Sequence, residues 1–128
     1  MILVDSNIII DFLRHPEEEA KVCLSSPDVV ICGVVKAEIL HGARSLEHCR
    51  NIIEALEDFP CLEMQEDDWE TLGRNLYLLR SNSITVPFQD AIIATLAIRN
   101  DASVWTRDKH FSMIKEILTE LKITDNHS

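Results

Sequence analysis

Four carboxylates in this 128-residue chain follow or interrupt apolar stretches, so their neighbours predict that they are buried. They are Asp5, Glu38, Asp90 and Asp108. A buried carboxylate without a partner is strongly destabilising. If the fold brings the four together, a divalent cation is their natural partner, because hard oxygen ligands suit Mg²⁺ and Mn²⁺. The predicted elements decide whether they converge.

Short apolar segments alternate with helical segments along the chain. The predicted strands cover residues 2–4, 29–32, 61–64 and 103–106, and branched apolar side chains dominate them. This alternation predicts one domain over residues 1–128 with an α/β fold, in which a short central parallel sheet is flanked by helices in three layers. Ligands of such folds bind at the carboxyl ends of the strands.

The helices are predicted from caps and apolar stripes. For the helix that begins near Leu46, the predicted buried stripe is Leu46, Cys49, Ile53 and Leu56. For the next, it is Trp69, Leu72, Leu76 and Leu79, after a solvated acidic first turn at residues 66–68. The last ten residues are polar, and we expect them to fray.

The four carboxylates occupy the places where such a fold binds ligands. Asp5 directly follows the first predicted strand, and Asp108 follows the strand at 103–106. Asp90 lies in the first turn of a helix, on the face that carries Ala94. Glu38 lies in the middle of a helix and shares a face with apolar residues. We therefore expect the carboxylates to meet at one edge of the sheet.

Each acid also has a purely structural interpretation. Asp5 and Asp108 are good N-caps, and Asp90 is favoured by the helix dipole in a first turn. Glu38 gains nothing from capping, although it could pair with a nearby basic side chain or reach the surface. Four independent coincidences of this kind in one α/β frame are less probable than a shared site.

Around these acids the chain resembles PIN-domain ribonucleases, and in particular the VapC-type toxins of type II toxin–antitoxin pairs. The resemblance covers residues 1 to about 117 and rests on four stretches: VDSN, VVKAEILHGA, FQDAIIATLA and VWTRDKHF. Two positions depart from the family pattern. Arg107 stands where many relatives carry Asn, and His110 stands where an acid is common.

The resemblance implies a Mg²⁺- or Mn²⁺-dependent endoribonuclease that hydrolyses RNA phosphodiesters with an activated water. Asp5 and Asp90 would be the direct metal ligands, while Glu38 and Asp108 would hold water on the ion or a second ion. Side chains beside these acids would donate hydrogen bonds to them, or simply cap helices: Ser6, Asn7 and Thr106.

The resemblance also implies a cognate VapB-type antitoxin, which wraps the toxin and can place a basic side chain in the acidic pocket, and it implies a homodimer. The formal charge of −10 argues against a surface built for nonspecific nucleic-acid binding. No apolar run approaches the roughly 18 residues of a membrane span, and the opening segment lacks the basic flank of a signal peptide. We expect a cytoplasmic protein.

Other functions are compatible with parts of this pattern. A PIN-like domain that binds without cutting would be expected to have lost a pocket acid, and all four are present. A receiver-type phosphoacceptor domain needs an Asp at the end of its central strand, whereas the third strand region reads CLEMQE. A phosphatase of the D-x-D type is disfavoured, because Asn7 follows Asp5 at the second position. The sequence contains no C-x-x-C or H-E-x-x-H motif, so it gives no indication of a zinc site.

Overall fold

Strands and helices alternate along residues 1–124, the part of the chain that the computed structural model describes. The strands are β1 (Ile2–Val4), β2 (Val29–Cys32), β3 (Cys61–Leu62), β4 (Ser103–Trp105) and β5 (Lys122–Thr124). The helices are α1 (Ser6–Arg14), α2 (Glu18–Leu24), α3 (Gly33–His41), α4 (Leu46–Leu56), α5 (Glu66–Ser81), α6 (Phe88–Arg99) and α7 (His110–Ile117). The predicted α/β fold class, with a short parallel sheet flanked by helices, is confirmed.

Within residues 1–124, five parallel strands form one sheet in the order β3–β2–β1–β4–β5. Strand β1 is central, pairing with β2 on one side and with β4 on the other. The strand order therefore reverses direction at β1, which creates a crevice outside the carboxyl ends of β1 and β4. This crevice is where a ligand is expected in an open α/β sheet.

The core is formed by the sheet and by α6. Strand β2 is buried along its whole length, as expected for a parallel strand covered on both faces. In α6 every residue from Asp90 to Ala97 is buried, so the middle of this helix is enclosed on all sides. The small side chains of Ala91, Ala94 and Ala97 allow close approach of the surrounding elements. No helix within residues 1–124 is long and apolar enough to cross a membrane.

The buried face of α4 differs from the predicted one. Ile52 and Leu56 are its buried residues, whereas Leu46 is 81% exposed and Ile53 is 37% exposed. Only the C-terminal half of the helix contributes buried residues. They are Ile52 and Leu56, which are four residues apart and therefore lie on the same face. The predicted stripe was therefore wrong at Leu46 and Ile53, whereas the burial of Leu56 is confirmed.

The sequence predicts that the acidic first turn of α5 is solvated, but in the structure one of its acids is buried. Asp68 is only 3% exposed. Its carboxylate accepts a hydrogen bond from the Gln65 backbone N–H at 2.7 Å and lies 2.7 Å from the Arg99 guanidinium of α6. Asp68 therefore occupies the buried stripe with Leu72, while Trp69, predicted to be buried, is 53% exposed.

The C-terminal segment differs from the expected frayed tail. Lys122–Thr124 form β5, which pairs with β4 as an edge strand, and Leu121 just before it is fully buried. Burial of one leucine and three residues of strand pairing are enough to hold the segment to the sheet. The prediction of fraying is wrong for these residues, and residues 125–128 lie outside the described part of the chain.

The two acids that share Arg99 give a test of this packing. We expect Asp68→Ala to lower the free energy of unfolding by about 2 kcal/mol, because it removes both a buried ion-pair partner and the acceptor for the Gln65 N–H. Asp67→Ala is the matched control, since Asp67 also pairs with Arg99 but its side chain is 69% exposed. It should change stability little. Urea denaturation of both variants measures the difference, and equal losses would contradict the assignment.

Candidate metal centre

Asp5 directly follows β1 and is the N-cap of α1, and its carboxylate accepts several hydrogen bonds. Oδ1 accepts the Ser6 backbone N–H at 2.8 Å. Oδ2 accepts the Thr106 hydroxyl at 2.7 Å and the Asn7 side-chain amide at 3.3 Å. The residue is only 4% exposed. The carboxylate therefore has a fixed orientation at the crevice between β1 and β4.

Thr106 and Asn7 connect the ends of these two strands. Besides donating to Asp5, the Thr106 hydroxyl accepts the backbone N–H of Asp108 at 2.9 Å. The Asn7 side chain donates to the Thr106 hydroxyl at 3.4 Å and accepts the Arg107 backbone N–H at 3.4 Å. The turn that follows β4 is thereby attached to the start of α1, and Asp108 is placed near Asp5.

Asp90 and Asp108 meet through a histidine. Nδ1 of His110 lies 3.0 Å from Oδ2 of Asp90 and 3.0 Å from Oδ1 of Asp108. Asp108 was predicted to cap α7, but the cap position is Lys109. The Asp108 carboxylate nevertheless accepts the His110 backbone N–H at 2.9 Å. The start of α7 therefore adjoins the first turn of the buried helix α6.

Glu38 approaches the same edge from α3. Its Oε1 accepts the Ser6 hydroxyl at 3.3 Å, so it is linked to the residue next to Asp5. Glu38 is partly buried, and the alternative that it pairs with a nearby base is not what the structure shows. The structure thus brings the four predicted acids to the carboxyl edge of the sheet, with Ser6, Asn7 and Thr106 between them.

Burial and mutual repulsion govern the charge of this cluster. Burial, followed by the negative charges of Asp108 and Asp5, raises the pKa of Asp90 to about 6, although His110 opposes the shift. Burial also raises the pKa of Asp5, against the hydrogen bonds from Thr106 and Ser6. The pKa of Glu38 is raised by burial and by the charge of Asp5. Burial is the largest cause of each shift, and the charge of a neighbouring carboxylate adds to it in all three.

The cluster has the composition that a divalent cation requires. Its oxygens are the ligands preferred by Mg²⁺ and Mn²⁺, and a cation would offset the repulsion that raises these pKa values. One ligand atom from each of Asp90, Asp108 and His110 lies within 4.8 Å of the others. The Asp108 and His110 side chains are 32% and 40% exposed, so the cluster is open to solvent on this side. The donor set therefore fits a divalent metal.

His110 was noted in the sequence as a departure from the family pattern and was not predicted as a site residue. The sequence feature that could have identified it as a site residue is its position two residues after Asp108, at the start of a helix. Arg107, the other departure, forms an ion pair with Asp11 of α1 on the outside of the cluster. Its backbone N–H, not its guanidinium, contacts the hydrogen-bond network around Asp5.

A sequence profile of the PIN domain matches residues 2–117, most of the chain. The chain belongs to the PIN domain family. This confirms the resemblance drawn from the four sequence stretches and leaves the receiver-type alternative without support. No curated protein sequence matches the chain.

Solved structures share the fold of this PIN domain over nearly its whole length. VapBC-1 of nontypeable Haemophilus influenzae is 23% identical, with a TM-score of 0.80 over 100% of both chains. A toxin–antitoxin complex of Klebsiella pneumoniae is 27% identical, with a TM-score of 0.70 over 96% of this chain and 100% of that one. VapC20 of Mycobacterium tuberculosis, a toxin that cleaves the sarcin–ricin loop, is 18% identical, with a TM-score of 0.64 over 88% and 93%.

The raised pKa of Asp90 has a measurable consequence for stability. Because its folded value of about 6 exceeds the ordinary 3.8, the folded state binds this proton more tightly than the unfolded state. In the absence of metal, lowering the pH from about 7.5 to about 5 should therefore raise the melting temperature by roughly 5 °C. Asp90→Asn should remove most of this rise.

Asp58→Asn serves as the control, because Asp58 is exposed and precedes β3 at the opposite edge of the sheet. It should melt with the same pH dependence as the unaltered protein. Thermal unfolding in EDTA at both pH values measures the effect. Two results would contradict this role of Asp90: a melting temperature that falls on acidification of the unaltered protein, or a rise that persists in Asp90→Asn.

Proposed function

We propose that this PIN domain is a Mg²⁺- or Mn²⁺-dependent endoribonuclease and the toxin of a toxin–antitoxin pair. The observation that carries the proposal is the convergence of four carboxylates at the strand-order reversal of a PIN fold. An acidic cluster in this crevice has a clear use in hydrolysing a phosphodiester, since a bound divalent ion attracts the phosphate that bare carboxylates would repel.

Asp5 and Asp90 are the proposed direct ligands of the ion, with Glu38 and Asp108 completing the acidic lining. A divalent ion held there would supply an activated water and would offset charge on the reacting oxygens. Asp5 and Asp90 are the most buried members, 4% and 5% exposed; Asp5 directly follows β1, and Asp90 lies in the first turn of α6. Their positions therefore change little when an ion binds or leaves.

Three neutral side chains have supporting roles in this proposal. The Thr106 hydroxyl and the Asn7 amide hold Oδ2 of Asp5, while the Ser6 backbone N–H holds Oδ1, so both oxygens of the proposed ligand are oriented by hydrogen bonds. Ser6 holds Glu38 in the same way. Such hydrogen bonds orient acidic ligands and lower the entropy lost when the ion binds.

A basic antitoxin is the partner that the charge distribution favours. The chain carries 22 acidic residues against 12 Lys and Arg, so a basic segment would be attracted to its surface. Solved structures with this fold include VapBC-1 and the Klebsiella pneumoniae toxin–antitoxin complex. We propose a VapB-type antitoxin for this chain and a cytoplasmic location for the pair.

A homodimer is also proposed, as the resemblance implies. The early helices leave large apolar side chains in solvent, namely Leu13 (45% exposed), Val22 (65%) and Leu46 (81%). Apolar surface of this kind is commonly covered by a second subunit. Sedimentation of the isolated protein would distinguish a dimer from a monomer.

A PIN-like domain that binds RNA without cutting it remains the alternative. Such a domain would have the same fold and charge but would not cleave the RNA that it binds. The presence of all four acids favours catalysis, since a binding role alone does not require carboxylates with raised pKa values. An assay that separates binding from cleavage decides between the two.

The proposal predicts metal-dependent cleavage of RNA. Purified protein incubated with a pool of structured RNAs should cut in Mn²⁺ and should not cut in EDTA. Asp5→Asn and Asp90→Asn should each lower the cleavage rate at least about 100-fold while the fold is kept, because each removes a charged ligand. Mapping the cut ends, expected to be a 5′-phosphate and a 3′-hydroxyl, gives an independent readout.

Asp58→Asn is again the matched control, since it makes the same chemical change at the opposite edge of the sheet. It should cut at the rate of the unaltered protein. Near-normal cutting by either site variant would refute the ligand assignment. RNA binding without cleavage in any metal, across tRNA, rRNA and mRNA substrates, would favour the binding-only alternative.

A further inference from the structure

One nitrogen atom lies among the oxygens of the acidic cluster. Nδ1 of His110 is 3.0 Å from a carboxylate oxygen of Asp90 and 3.0 Å from one of Asp108. The two acids come from different parts of the chain, the buried helix α6 and the turn after β4. The histidine therefore occupies the position where these two parts meet.

We propose that His110 is itself a metal ligand through Nδ1, and that it makes this site prefer a first-row transition ion over Mg²⁺. The inference rests on the proposed metal centre and deepens it. It attributes the preference between Mg²⁺ and Mn²⁺ to one side chain, that of His110.

The distances between the ligand atoms support this role. Adjacent corners of an octahedron with metal–ligand bonds of about 2.1 Å are roughly 3.0 Å apart. The two 3.0 Å separations from Nδ1 to the carboxylate oxygens match such adjacent corners. All three ligand atoms lie within 4.8 Å of one another, so they can face one ion together.

The histidine is also held in place by its backbone. Its N–H donates to Oδ1 of Asp108 at 2.9 Å, and the residue begins α7, whose Phe111 and Ile114 are buried in the core. The imidazole is 40% exposed, so the ring can reach an entering ion without disturbing the core. A side chain anchored at its backbone and open at its ring is well suited to ligation.

The chemistry of the ligand determines the preference. Mg²⁺ strongly favours oxygen ligands and keeps its waters, so a nitrogen ligand adds little to its binding. Imidazole binds transition ions increasingly well along the series that begins with Mn²⁺. Replacing the nitrogen by oxygen should therefore weaken transition-ion binding much more than Mg²⁺ binding.

Isothermal calorimetry with Co²⁺ and with Mg²⁺ tests this preference directly. The ratio of the Mg²⁺ and Co²⁺ dissociation constants should fall at least about tenfold in His110→Asn and in His110→Asp. The two variants differ in charge, so a shared fall in the ratio reports the loss of nitrogen. His15→Asn, at the exposed C-terminal end of α1, is the control and should leave the ratio unchanged.

Electron spin-echo measurements on the Mn²⁺-loaded protein give a readout that does not depend on a variant being stable. Modulation from a directly bound imidazole nitrogen should be present in the unaltered protein and in His15→Asn, and absent from His110→Asn. Metal binding with an unchanged ratio and no nitrogen modulation would overturn the role of His110 while leaving the proposed nuclease intact. Failure of the unaltered protein to bind any of the three ions would overturn the metal centre as well.

Discussion

Electrostatic repulsion among carboxylates in a low-dielectric crevice is the constraint on which this structure depends. Asp5, Asp90 and Glu38 are all held where burial and neighbouring acids disfavour their charged forms. The rest of the fold must supply the free energy that keeps them there, and helix α6 contributes by burying Asp90 together with the mostly apolar segment that follows it. A cation would convert this repulsion into attraction, so folding and metal binding are linked through the same side chains.

The sheet topology determines where the repulsion is concentrated. Because the strand order reverses at β1, the ends of β1 and β4 open into one crevice, and Asp5 and Asp108 emerge there side by side. The hydrogen bonds of Thr106 join the two strand ends, and those of Asn7 join both to α1. Asp5 therefore lies at a strand end and Asp90 at a helix start, and a hydrogen bond to the Thr106 hydroxyl holds the turn that carries Asp108.

Much of this arrangement could be predicted from sequence because it depends on local patterns. Buried runs such as Val29–Cys32 mark strands, and an acid directly after a strand, such as Asp5, lies at the carboxyl edge by geometry alone. Features that depend on contacts between distant segments could not be predicted in this way. The pairing of Asp68 with Arg99 joins two helices, the strand β5 depends on β4 as a template, and the exposure of Leu46 depends on how far α4 overlaps the core. His110 belongs to the same group, since its partner Asp90 is 20 residues away.

A crystal structure of the protein with Mn²⁺ tests most directly whether these acids form one metal centre. Anomalous scattering from manganese locates the ion without any assumption about activity. We expect a strong anomalous peak in the crevice between the ends of β1 and β4, within bonding distance of Asp5 and Asp90. Well-ordered carboxylates with no anomalous peak at millimolar Mn²⁺, or a peak bound elsewhere on the surface, would contradict it.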